Sequence, residues 1–160
     1  MKEMDMEKEK NLVFATQDGD VKAIEEMNDP VFAQKALGDG VCIVPSDNNV
    51  YSPIKGKLAV VADTKHAYGI IGEDELEVMI HVGIDSVELD GRGITSYVSV
   101  EENVEVGTLL CSIDFDVFKK ENISTETAVV ITNKDRFEIV SKNLGLAKAK
   151  ENYIFQYKRK

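Results

Sequence analysis

From Leu12 onward, short runs rich in Val and Ile recur along the chain: VFATQ, GVCIVP, KLAVVAD, HAYGII, LEVMIHV, GITSYVSV, GTLLCSID, TAVVIT, FEIVS and YIFQYK. Between them stand turn clusters such as DGD, SDNN, IKGK, GED, DGRG and TNKD. Closely spaced β-prone runs with turn chemistry between them predict an all-β fold, an antiparallel β-sandwich or barrel. Two short helices interrupt the pattern. Asp29 followed by Pro30 reads as an N-cap with proline in the first turn, and Gly38 as a stop, which predicts a helix over 30–37. A second helix, opened by another Asp cap, is predicted over Asp114–Glu121. Residues 1–11 alternate charges with no periodic apolar positions and read as a flexible tail, leaving 12–160 as a single domain. No repeat of fixed period and no Pro-rich linker divides it.

Composition narrows this picture. With 160 residues, 43% of them hydrophobic, the chain can close one core without a disulfide or metal staple. No window approaches the apolar length of a membrane span, and the charged N-terminus lacks the apolar stretch of a signal peptide, so a soluble, cytoplasmic protein is expected. Cys42 and Cys111 each lie inside an apolar run with no CxxC or Cys/His spacing, and read as buried thiols. A net charge of -10 repels nucleic acid and anionic membranes, and favours a basic protein as partner.

The candidate chemistry rests on two histidines, His66 and His81, the only ones in the chain. The stretch between them reads as strand, turn, strand. With Glu73 and Asp74 at the tip of a tight hairpin, Gly72 faces Glu75, Ile70 faces Glu77, Tyr68 faces Met79, and His66 faces His81. Directly opposed residues on one face have Cβ atoms about 4.5–5.5 Å apart, close enough for two imidazoles to touch one phosphate or one metal ion. Simple packing of two strand histidines is the competing reading. A zinc site would need a third ligand, and with no third His or well-placed Cys it would have to recruit Asp29 or Asp85. Alternatively, one unprotonated ring nitrogen attacks phosphorus while the other imidazole donates to the phosphoryl oxygens. Phosphoryl transfer asks for little beyond such alignment and charge.

The residues around the histidines carry a resemblance. Thr64-Lys65-His66-Ala67-Tyr68-Gly69-Ile70 and His81-Val82-Gly83-Ile84-Asp85-Ser86-Val87-Glu88-Leu89 resemble the active site of the glucose-family enzyme IIA of the bacterial sugar phosphotransferase system. The likeness extends to Asp29–Ala33, Gly38–Val41, Ser52–Gly56, the Gly91-Arg92-Gly93 turn and Ser124–Asn133, and spans residues 12–158. It departs at Ala15–Asp20, which lacks the family's proline, and at Ala128, where proline is frequent.

The resemblance implies a phosphotransferase component that uses no cofactor and no metal. It implies that His81 carries the phosphoryl group, that His66 contacts the phosphate, and that Thr64 orients His66. It implies the carrier protein HPr as donor and a cysteine on the IIB domain of a sugar permease as acceptor. A regulatory or zinc-binding module built on the same histidines is the alternative. Asp29 and Asp85 would face a basic donor, against plain roles as helix cap and turn residue. Val31, Phe32 and Met79 would form an apolar ring around the histidines, against ordinary core burial. Gly83 is read either as room for a partner to approach or as a strand bulge. A monomer is expected; the sugar, and whether the chain stands alone or forms part of a larger permease, stay open.

Overall fold

The computed structural model describes residues 11–160, so the tail expected over 1–11 lies, apart from Asn11, outside the described residues. Strands dominate. The first seven are β1 (Leu12–Phe14), β2 (Gly19–Ala23), β3 (Asp39–Pro45), β4 (Asn49–Tyr51), β5 (Gly56–Val61), β6 (Ala67–Gly72) and β7 (Glu77–Val82). After these come β8 (Ile94–Ser96), β9 (Asn103–Val104), β10 (Leu109–Ile113), β11 (Thr127–Ile131), β12 (Phe137–Lys142), β13 (Gly145–Ala147) and β14 (Tyr153–Arg159). Two α-helical segments, α1 (Pro30–Ala33) and α2 (Phe115–Lys120), and two unforeseen 3-10 turns, Ile24–Glu26 and Ser86–Leu89, complete the description.

The expected all-β class holds, as a sandwich-like arrangement rather than a closed barrel. One large sheet has eight strands in the order β13-β2-β3-β11-β7-β6-β5-β9, and its two end strands have no further neighbour in it. Two three-stranded sheets, β1-β14-β12 and β4-β10-β8, accompany it. Pairing is antiparallel throughout.

Alternation along the central strands divides the apolar residues between the two faces of the large sheet. Val78, Ile80 and Val82 of β7 join Val129 and Ile131 of β11 in the main core. On the opposite face, Ala128 and Val130 pack with Ile24, Met27, Phe32 and Cys42 in a smaller cluster, and Met79 and Ile84 lie against it. This is why every residue of TAVVI in β11 is buried: both its faces are covered. The chain between β2 and β3, including α1, forms the cover on the second face. Both cysteines are free and buried, as expected, and burial pushes each thiol up to about 12.

The first helix is shorter than the expected 30–37. Lys35 adopts φ 61°, and Ala36 N donates to Val31 O while Lys35 N donates to Phe32 O, which closes the helix at its C-terminus ahead of Gly38. Gly38 serves a different need: a Cβ there would stand 2.3 Å from Ile131 O. The second helix lies within its expected interval, with the Asp114 carboxylate accepting from Asp116 N at 3.0 Å.

Candidate functional site

The β6–β7 hairpin presents both histidines, but in a register one residue away from the sequence expectation. Its loop holds three residues, Glu73, Asp74 and Glu75, because Gly72 N donates to Leu76 O at 2.8 Å and Glu75 takes φ 77°. Ala67 therefore stands opposite His81, and Gly69 opposite Met79. His66 lies just outside β6, and its backbone carbonyl accepts from Val82 N at 2.7 Å. The chain turns at Lys65, φ 66°, so His66 is released from strict strand alternation. The two rings still meet, with centroids 5.0 Å apart in an edge-on arrangement.

Small neighbours leave His81 space. Across the sheet its row partners are Ala67 on β6 and Ala128 on β11. The side chain projects on the face away from the main core, and Phe32 of α1 packs against it with ring centroids 5.0 Å apart. Phe32 is only 2% exposed and acts as packing beneath the site, whereas Val31 beside it is 47% exposed and Met79 is half-buried. The Asp29 carboxylate caps α1 by accepting from Val31 N at 3.0 Å, and its charge also reaches His81. Exposed Asp85 takes φ 59°, makes no capping bond to the following turn, and likewise acts electrostatically on His81.

Hydrogen bonds decide which ring nitrogen is free. His81 Nδ1 lies 3.0 Å from Gly83 O, and a carbonyl oxygen can only accept, so the proton of neutral His81 sits on Nδ1 and Nε2 keeps its lone pair. His66 Nδ1 lies 2.6 Å from Thr64 Oγ1, which can donate or accept. Burial holds His81 below the ordinary 6.5, against the upward pull of the Gly83 carbonyl and of Asp29 and Asp85. Burial, with the neighbouring His81 charge, also lowers His66. Both rings thus favour the neutral form at neutral pH, which a nitrogen nucleophile requires.

Linkage makes this testable. Each folded-state value lies below the unfolded one, so the unfolded chain binds protons more readily, and the associated stability is present above pH 6.5 and lost as pH falls through the lowered values. Between about pH 7 and about pH 5, Tm of the parent is expected to fall more than that of a His66→Gln, His81→Gln double variant. Calorimetry checks this, and parallel curves would refute it.

Gly83 does not offer room to a partner. It has φ 81°, and a Cβ there would meet Ser124 O at 2.9 Å and both Phe118 Cε2 and Ser86 Cβ at 3.0 Å, all within the chain itself. Glycine is required for the turn that aims its own carbonyl at His81. Gly83→Ala is expected to lose about 1–3 kcal/mol of stability, read as a lower urea midpoint; an unchanged midpoint would refute the crowding.

The acceptor role of Gly83 O, and the alanines flanking His81, escaped the sequence reading. A backbone carbonyl leaves no compositional trace, and Ala67 and Ala128 matter only through the observed register. Among the described residues, no three His, Cys, Asp or Glu side chains are grouped so as to hold a metal ion, and no carboxylate completes a zinc site on the histidine pair. No helix among them is long and apolar enough to cross a membrane.

Residues 11–137 match the family model described as phosphoenolpyruvate-dependent sugar phosphotransferase system, EIIA 1. The chain belongs to this EIIA family. It is 40% identical over 138 residues to the PTS system glucose-specific EIIA component of Bacillus cereus, covering 86% of this chain and 84% of that protein. It is 41% identical over 128 residues to the PTS system glucose-specific EIICBA component of Streptococcus pneumoniae, where 80% of this chain spans 18% of the longer polypeptide. The glucose permease IIA from Mycoplasma capricolum superimposes with a TM-score of 0.85 at 32% identity, covering 90% of this chain and 93% of that one. The sandwich and its two short helices are therefore those of an EIIA domain, and the histidine pair described above lies within the matched residues.

Proposed function

We propose that this EIIA protein is a cytoplasmic phosphocarrier of sugar uptake, taking a phosphoryl group from the phosphohistidine of HPr onto His81 and passing it to a cysteine of a permease IIB domain. The observation that carries this reading is the bond from His81 Nδ1 to Gly83 O, which leaves Nε2 as the nucleophile beside a second imidazole. In the first step the N–P bond of the donor breaks, the bond from phosphorus to His81 Nε2 forms, and the donor imidazole recovers its lone pair. In the second, a cysteine thiolate takes phosphorus and His81 returns to its starting form. Neither step needs a cofactor or metal.

Each neighbour has a role in this scheme. When Thr64 Oγ1 donates to His66 Nδ1, the neutral His66 proton lies on Nε2 and can be given to a phosphoryl oxygen. Charge builds on those oxygens in a loose transition state, so one fixed donor matters there. Asp29 and Asp85 steer a basic partner, an effect that weakens with salt. Val31 and Met79 exclude water on docking, and Phe32 supports them from below. Fusion of such a domain to a larger EIICBA polypeptide in Streptococcus pneumoniae supports a IIB partner, and likeness to glucose-specific EIIA components supports glucose as the sugar.

The test is incubation of the purified chain with phosphoenolpyruvate, enzyme I and HPr, followed by intact mass measurement. One added, acid-labile phosphoryl group is expected. No addition with active donor proteins would overturn the proposal.

A further inference from the structure

Glu126 stands just before β11 and is half-buried. Its Oε2 accepts from Asn28 Nδ2 at 2.8 Å and from Ser124 Oγ at 3.3 Å, and its Oε1 accepts from Asn28 N at 3.3 Å and from Cys42 Sγ at 3.6 Å. One carboxylate thus grips both the backbone and the side chain of a residue 98 positions away in the chain. Asn28 is the residue before Asp29, the cap of α1, so this grip fixes the point where the cover over the second face turns into the helix that carries Val31 and Phe32.

The same short segment reaches the other wall of the site. Ser124 Oγ accepts from Glu126 N at 3.1 Å, and Ser124 O accepts from Ile84 N at 3.1 Å. Ser124 O is also the atom that a Cβ on Gly83 would strike. Glu126 and Ser124 together therefore tie the Phe32 side of His81 to the Gly83–Ile84 turn whose carbonyl accepts from His81 Nδ1. Hydrogen bonds to a charged carboxylate are stronger than neutral ones, and among the described residues no other side-chain bond joins residues 24–29 to β11 or its approach.

We infer that Glu126 is a positioning residue of the histidine site, clamping Asn28 so that α1 holds Phe32 against His81 and presents Val31 for docking. The kinetic part of this inference rests on the proposed phosphocarrier function; the structural part does not.

The experiment records the His81 ring protons by NMR in the parent, Phe32→Leu, Glu126→Leu, Glu126→Gln, Asn28→Leu and the Glu126→Leu, Asn28→Leu double variant. A phenyl ring 5.0 Å away shifts those protons through its ring current. Glu126→Leu and Asn28→Leu are expected to move the signals toward their Phe32→Leu positions, and the double variant no further, since both act through one contact. Glu126→Gln is expected to lie nearer the parent: its Oε1 can accept from Asn28 N, and its Nε2 can donate to Asn28 Oδ1 once that amide turns over. In phosphoryl acceptance, KM for phospho-HPr is expected to rise about fivefold in Glu126→Leu with kcat within about twofold.

Parent-like His81 signals in both Glu126→Leu and Asn28→Leu, while Phe32→Leu moves them, would overturn the inference. A double variant shifted by the sum of the two singles would do the same. Should Glu126→Leu fail to fold, exposed Asn28 still carries the test through Asn28→Leu. A parent that takes no phosphoryl group would sink the proposed function alone, because the ring-current arm is read without any donor.

Discussion

His81→Gln is expected to gain no phosphoryl group under conditions that fully load the parent. Glutamine places an amide where the imidazole stood, and the amide nitrogen has its lone pair delocalised, so nothing remains to attack phosphorus. Removing a nucleophile costs on the order of 10⁶ in rate where it has been measured, which puts the variant below detection. The fold should survive the change. His81 is only partly buried, stands between Ala67 and Ala128, and its side-chain bond is to one carbonyl, so glutamine leaves neither a large cavity nor an unpaired charge. Unchanged far-ultraviolet circular dichroism with a missing mass addition is the expected pair of results. A fully labelled His81→Gln would move the acceptor elsewhere and overturn the central assignment.

His66→Gln is expected to behave differently: one phosphoryl group still arrives, but about 10² to 10³ times more slowly, the loss found when a single preorganised donor to a transition-state oxygen is removed. The reason lies in the geometry. The His66 ring lies edge-on to that of His81, and Thr64 Oγ1 stands 2.6 Å from His66 Nδ1, where a donated hydroxyl proton leaves the His66 proton on Nε2. Thr64→Val should act in the same direction and less severely, because it keeps the ring and loses only the hydroxyl hydrogen-bonded to His66 Nδ1. Single-turnover acceptance from phospho-HPr measures both. Equal and complete loss in His66→Gln and His81→Gln would show that the rings act as one unit, and would end the division between nucleophile and donor.

Much of this was legible beforehand because local rules dominate. Val78, Ile80 and Val82 alternate with Met79 and His81, and that alternation alone places His81 on the face opposite Ile80. The Asp114 cap marks α2 through a bond made two residues away. The apolar settings of Cys42 and Cys111 marked them as buried for the same reason.

The hairpin loop shows where local reasoning stops. A two-residue tip at Glu73 and Asp74 accords with turn chemistry, yet the third residue, Glu75, is held in a left-handed conformation that Gly or Asn would normally signal. Its partners come from far along the chain: Asn133 Nδ2 donates to Glu75 O at 3.0 Å, and Arg136 pairs with the Glu75 carboxylate at 2.7 Å. Tyr157 donates to Asp74 Oδ2 at 2.7 Å, and Arg159 reaches Asp74 O. These contacts, rather than the intrinsic preference of a glutamate, account for the register.

By itself, the sequence determined the all-β class, the two helix starts and the pair of histidines, since period, capping and side-chain chemistry are written within a few neighbouring positions. Only the tertiary structure decided the one-residue register, the burial of Phe32 against His81, the nitrogen on which His81 keeps its proton and the downward shift of both imidazoles. Each of these depends on groups brought together from distant parts of the chain, where a carbonyl at Gly83 or a carboxylate at Glu126 acts through distances and directions that no local pattern encodes.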